Sequence, residues 1–125
     1  MLFEGKLYHI KSMKCTGENL NATIEIICNH PIFNGHFPGN PVLPGVCSLQ
    51  IIGELLSKNL NQQYMLVKSE NIKFIGLVIP SERTILQYEI IYSIIDDKKI
   101  AVKCNVTNNE KEVLKMKGSY ICQLS

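Results

Sequence analysis

The chain has 125 residues, a formal charge of +2 at pH 7, 46% hydrophobic residues and 19% charged ones. That length and balance suit one globular domain with its own core and exclude a disordered chain. The small charge, with no lysine/arginine cluster interleaved with aromatics, argues against nucleic acid as a partner, and no apolar run reaches the roughly 20 residues that span a bilayer.

Met1-Leu2-Phe3-Glu4-Gly5-Lys6 places charges where an export signal needs an apolar run, so a cytoplasmic location without a membrane partner is expected. Residues 2–13 and 20–28 read as strands. In the second, Leu20, Ala22, Ile24, Ile26 and Cys28 alternate onto one face. Asn29 to Leu43 is a Gly/Pro/Asn-rich loop with neither helical nor strand period. Pro44 suits the first turn of a helix that runs to about Leu60. Four strand-like stretches follow, at 64–75, 82–95, 98–107 and 111–123. Asp96-Asp97 and Asn108-Asn109 mark the later hairpin turns.

Two strands, one helix and four strands imply an α+β architecture in a single domain over residues 1–125. Val46, Leu49, Ile51, Ile52, Leu55 and Leu56 occupy nearly every face of the helix, which predicts a helix buried all round. A six-stranded antiparallel sheet wrapped around one central helix is the hotdog fold.

The five cysteines, Cys15, Cys28, Cys47, Cys104 and Cys122, are odd in number and lack CxxC spacing. Free thiols are expected, rather than a zinc site or a disulfide framework. No Asp, Glu, Lys or Arg occurs from Ile26 to Gly53. The titratable groups in and beside this window are Cys28, His30, His36, Cys47 and Glu54. A His and a buried acid beside an apolar cavity make a candidate site with perturbed protonation. A packed core with one satisfied His is the other reading of the same spacing.

Residues 30–46 read His-Pro-Ile-Phe-Asn-Gly-His-Phe-Pro-Gly-Asn-Pro-Val-Leu-Pro-Gly-Val. This segment resembles the signature of the β-hydroxyacyl-acyl carrier protein dehydratases: Gly-His-Phe-Pro-Gly-x-Pro, an apolar pair, Pro-Gly, then the central helix. Lys73-Phe74 followed by Val78-Ile79-Pro80 resembles the family segment that enters a long strand. The resemblance implies His36 as the catalytic base and the backbone N–H groups of Gly45 and Val46 as the binding site of the thioester carbonyl. Phe37 and Pro44 are implied as further substrate-binding residues. It also implies a homodimer with the site between subunits, a 3-hydroxyacyl substrate carried by an acyl carrier protein, and no metal or organic cofactor.

The chemistry is consistent with those parts. A neutral His takes the C2 proton near pH 7, and unpaired N–H groups at a helix start stabilise the developing enolate. His30, before Pro31, is expected to hold a turn, and Cys47 to pack as a small apolar residue. Lys58, Lys68, Lys73 and Arg83 offer weak electrostatic docking to an acidic carrier protein.

The family places Glu or Asp where this chain has Gln50, and often Gln one turn later where this chain has Glu54. Gln50 is expected opposite His36 of the partner subunit, holding the 3-hydroxyl or a water. Glu54 is expected to reach the site through Gln50 or a water and replace the missing acid. Three readings follow. The first is a 3-hydroxyacyl thioester dehydratase. The second is a non-catalytic hotdog subunit that binds acyl thioesters or pairs with an active homologue. The third is an acyl thioesterase.

Overall fold

The computed structural model describes residues 2–35, 41–80 and 83–122. Its elements are β1 (Tyr8–Thr16), β2 (Asn19–Ile26), α1 (Ile32–Gly35), α2 (Gly45–Leu60), β3 (Tyr64–Phe74), β4 (Ile85–Ile94), β5 (Lys99–Asn108) and β6 (Lys111–Cys122). The strands form one antiparallel sheet in the order β1-β2-β4-β5-β6-β3, with α2 against its inner face. This is the expected hotdog fold.

Alternation creates the inner face. Leu20, Ala22, Ile24 and Ile26 of β2 are buried, as are Leu86, Tyr88, Ile90 and Tyr92 of β4 and Ile100, Val102, Cys104 and Val106 of β5. They meet Cys47, Ile51, Ile52, Leu55 and Leu56 of α2, which are also buried. Gly53 lets the helix approach the sheet: a Cβ there would stand 3.1 Å from the Tyr64 carbonyl oxygen and 3.3 Å from the Tyr120 ring. The β5–β6 hairpin turns through Asn109 (φ 50°) and Glu110 (φ 68°), the paired left-handed conformation that matches strand twist. At the β4–β5 turn, Asp96 Oδ1 accepts from the N–H groups of Lys98 and Lys99.

Some expectations need correction. The first strand begins at Tyr8, because residues 3–7 form a turn in which Gly5 adopts φ 85°. Its N–H groups bond back to Phe3 and Tyr8 carbonyls rather than to a neighbouring strand. Cys28 lies beyond the end of β2 and is exposed. The Gly/Pro loop contains the short helix α1, and β4 starts at Ile85. The central helix is not buried all round, since Val46 is 71% exposed and Leu49 and Gln50 are half-buried. It is buried on all faces only from Ile51 to Leu56, where the sheet encloses it.

Three buried tyrosines tie the sheet to the helix. Tyr88 of β4 donates its phenol to the Ser48 carbonyl (3.3 Å), Tyr120 of β6 to the Leu49 carbonyl (3.0 Å), and Tyr8 of β1 to Glu54 Oε1 (2.9 Å). Burial raises all three phenols above their ordinary 10.0. The neighbouring Glu54 carboxylate adds to the rise at Tyr8, and the Cys104 thiol to that at Tyr88 and Tyr120.

Each of Tyr88→Phe and Tyr120→Phe should cost about 1 kcal/mol, the net worth of one hydrogen bond, in urea unfolding. The fold accepts these phenols only neutral. Stability is therefore full below the unfolded value of 10.0 and declines as pH rises above it, because the unfolded chain ionises first. The urea midpoint should fall between about pH 9 and about pH 11, and fall less in the two Phe variants.

Candidate active site

The uncharged stretch of the sequence ends in the first turns of α2. Pro44 is the N-cap, with φ −60° and ψ 140°, and provides no side-chain cap. The first N–H groups bonded within the helix belong to Cys47 and Ser48, which share the Pro44 carbonyl at 3.0 and 3.4 Å. The Gly45 and Val46 N–H groups precede that ladder and carry the positive end of a 16-residue helix.

The Phe74 ring at the end of β3 lies against Gly45, and a Cβ there would push that exposed ring aside. The segment before the helix is held by Leu43 N–H, which donates to the Val78 carbonyl at 2.8 Å; both residues are buried. An apolar groove of about 460 Å³ results, bordered by Pro44, Gly45, Val46, Ile72, Phe74 and Leu77.

A second groove, of about 560 Å³, runs along the other side of Val46 and Leu49. It is bordered by Gln50, Glu54, Tyr64, Met65, Leu66 and Tyr120. Val46 and Leu49 border both grooves, so the exposed ridge of α2 divides them. The polar groups of the second groove are organised by Glu54, which is buried. Its Oε2 accepts from Phe3 N–H (2.8 Å) and Gln50 Nε2 (2.9 Å), and its Oε1 from Glu4 N–H (2.9 Å) and Tyr8 Oη (2.9 Å).

Of the residues singled out from sequence, Pro44, Gly45 and Val46 meet at the helix start, and Gln50 and Glu54 meet each other one groove away. His36 and Phe37 lie outside the described residues. His30 holds its turn by accepting the Ile32 N–H on Nδ1 at 3.0 Å, with Phe3 edge-on to its ring at 6.3 Å. Cys47 is buried against the core, and burial raises its thiol.

The roles of Tyr8, Phe3 and Glu4 around Glu54 were not legible in the sequence, because they join positions about 50 residues apart. Phe74 was visible only as part of the second resemblance. Lys58 is paired with Glu4 at 2.7 Å. Four other lysines, Lys73, Lys103, Lys115 and Lys117, line a depression of about 270 Å³ on the sheet, where Lys115 and Lys117 pair with Glu112 and Glu70. Among the described residues no His/Cys/Asp/Glu group is placed to hold a metal, and no helix is long and apolar enough to cross a membrane.

A family model described as ApeI dehydratase matches residues 12–117. The 3-hydroxyacyl-[acyl-carrier-protein] dehydratase FabZ of Lawsonia intracellularis is 33% identical over 102 residues, which span 74% of this chain and 67% of that protein. The FabZ of Ralstonia nicotianae is 30% identical over 86 residues, 61% of this chain and 52% of that protein. The match thus spans from about half to two thirds of these relatives' length.

Among solved structures, the dehydratase heterocomplex ApeI:P from Xenorhabdus doucetiae superposes with a TM-score of 0.72 at 18% identity, covering 92% of this chain and 97% of that one. A hypothetical thioesterase protein with coenzyme A from Streptococcus pneumoniae gives 0.62 at 17% identity, with 93% and 85% covered. At these identities the likeness is one of fold, and both a dehydratase complex and a thioesterase protein share it.

The five thiols provide a check on this arrangement. Cys15 and Cys28 are exposed, whereas Cys47, Cys104 and Cys122 are buried. With a thiol reagent near pH 8, Cys15 and Cys28 should react in the native protein and the other three only after unfolding. Fast labelling of Cys47 would contradict its assignment as a packed residue.

Proposed function

Because the chain belongs to the ApeI-like dehydratase family, we propose that it is a 3-hydroxyacyl-[acyl carrier protein] dehydratase that forms trans-2-enoyl thioesters. The observation that carries this reading is the start of α2: two N–H groups outside the helical ladder, no side-chain cap, and an apolar groove beside them. A thioester carbonyl seated on Gly45 and Val46 would gain hydrogen bonds and the helix dipole as enolate character develops.

His36, nine residues before Gly45, is the base that takes the C2 proton, and the imidazolium so formed gives that proton to the departing 3-hydroxyl, which leaves as water, with Phe37 and Pro44 against the substrate. The reaction needs no metal or organic cofactor from the residues assigned to it. Gln50 holds the 3-hydroxyl of a substrate bound across the subunit boundary. The acyl group arrives on an acyl carrier protein, and the enzyme works in the cytoplasm.

Dimer formation follows from the sheet. Among the described residues β3 is a terminal strand of the sheet, with β6 as its one strand neighbour, and Met65 and Val67 on it are 44% and 49% exposed. Pairing this edge with that of a second copy around a two-fold axis removes an aggregation-prone edge and covers the ridge of α2.

Gln50 supports a second reading. An amide cannot protonate the departing hydroxide at neutral pH. This copy then works as one partner of a hotdog heterocomplex whose other subunit brings the acid, as the Xenorhabdus complex named above pairs two chains.

One assay separates the readings: incubation with 3-hydroxyacyl thioesters of several lengths, following enoyl formation and thiol release together. Enoyl formation by the protein alone is the expected result. Thiol release without enoyl product would instead make it a thioesterase, and turnover only with an added homologue would favour the heterocomplex. His36→Ala should lower turnover about 10²–10⁴-fold with the fold intact. Light scattering at micromolar concentration should give a dimer, and a monomer would overturn the edge-pairing argument.

A further inference from the structure

Glu54 is 8% exposed and sits where a carboxylate could be taken for the acid of the second groove. Its hydrogen bonds argue otherwise. Phe3 N–H, Glu4 N–H and the Gln50 amide nitrogen can only donate. Oε2 receives two of these donors, so it is satisfied only as an unprotonated oxygen. A proton on Oε1 would have to point at Tyr8, the one partner able to accept it, and not at the groove.

The consequence falls on Gln50. A glutamine amide rotates through a broad range about its last torsion and can offer either its nitrogen or its oxygen to a ligand. Here Nε2 is held by Glu54 at 2.9 Å, and the same carboxylate repels the amide oxygen. The amide is therefore turned with its oxygen away from Glu54. Glu54 in turn is fixed by the turn at residues 3–8, which Lys58, one helical turn further along α2, also grips through Glu4 at 2.7 Å. A brace built from residues 3–8 thus holds the nitrogen end of this amide.

We infer that Glu54 is a positioning residue that aims the Gln50 amide oxygen at the 3-hydroxyl of the acyl chain, so that the site selects hydroxylated over saturated acyl thioesters. The inference rests on the acyl-thioester reading proposed above, and it takes Glu54 out of the role of replacement acid. An oxygen acceptor recognises a hydroxyl and gives nothing to a saturated chain. Its contribution is one neutral hydrogen bond, about a threefold to tenfold preference.

The test measures binding of a 3-hydroxyacyl thioester and of the saturated thioester of equal length, in a His36→Ala background that removes turnover. That background should prefer the hydroxylated chain by about threefold to tenfold. Glu54→Met and Gln50→Met should each bring the preference close to one, and the double variant should lose no more than either. A purely structural role for Glu54 would weaken both ligands together and leave the ratio unchanged, which would overturn the inference. Equal binding of both chains by the parent would overturn it too. Binding of neither chain would overturn the acyl-thioester reading itself, a distinguishable result. Should Glu54→Met fail to fold, the Gln50 side-chain amide signals of the parent protein decide the matter by NMR. An exchange-protected Nε2 proton that persists with the hydroxylated ligand supports the inference, and its loss on binding overturns it.

Discussion

The structure depends on fixing one helix at a defined depth inside a curled sheet. Apolar contacts alone allow a helix to slide or rotate, since burial is non-directional. Three tyrosine phenols remove that freedom by hydrogen bonding to α2 from β4, β6 and β1, at Ser48, Leu49 and Glu54. Two of the bonds fall on carbonyls of the first helical turns, which ties the early part of α2 directly to the sheet. The groove beside Gly45 and Val46 inherits its shape from those contacts and from Phe74 lying over Gly45.

The other end of this ordered region is electrostatic. The long uncharged stretch stops at Glu54, and the carboxylate is satisfied there by backbone and side-chain donors instead of by a cation. Burying an ionised group is tolerated only with such compensation. The arrangement ties the turn at residues 3–8 to α2. The same turn reaches the loop that leads toward His36, through Leu7 O to Ile27 N–H and through Phe3 against His30. The beginning of the chain therefore touches both segments to which the proposed chemistry is assigned, although it belongs to neither.

Polarity divides the molecule in a consistent way. The grooves flanking the ridge of α2 are bordered mainly by apolar groups, with Gln50 and Glu54 among a few polar ones such as Ser48, Ser57 and Gln63, while four lysines and Glu89 border the depression on the sheet. Exposed apolar residues gather at Val46, Phe74, Ile75, Leu77 and Ile79, around the helix start, and at Met65 and Val67 on the β3 edge. These are the surfaces that an acyl chain and a second subunit would cover in the proposed function.

By itself, the sequence determined the order of elements, the α+β architecture and the family. Strand alternation and the Pro44-Gly45 helix start are local patterns, and the Gly/Pro-rich signature around His36 is contiguous. Hairpin turns were legible for the same reason, since Asp96 and Asn109 act on neighbouring backbone. Only the tertiary structure decided that Val46 stands exposed at the ridge between two grooves, and that Phe74 lies against Gly45. It also decided that Glu54 is enclosed by donors from residues 3, 4 and 8. Helical spacing puts Gln50 and Glu54 on one face, but which atoms surround a carboxylate depends on chain segments about 50 positions away, and no local period records such a contact.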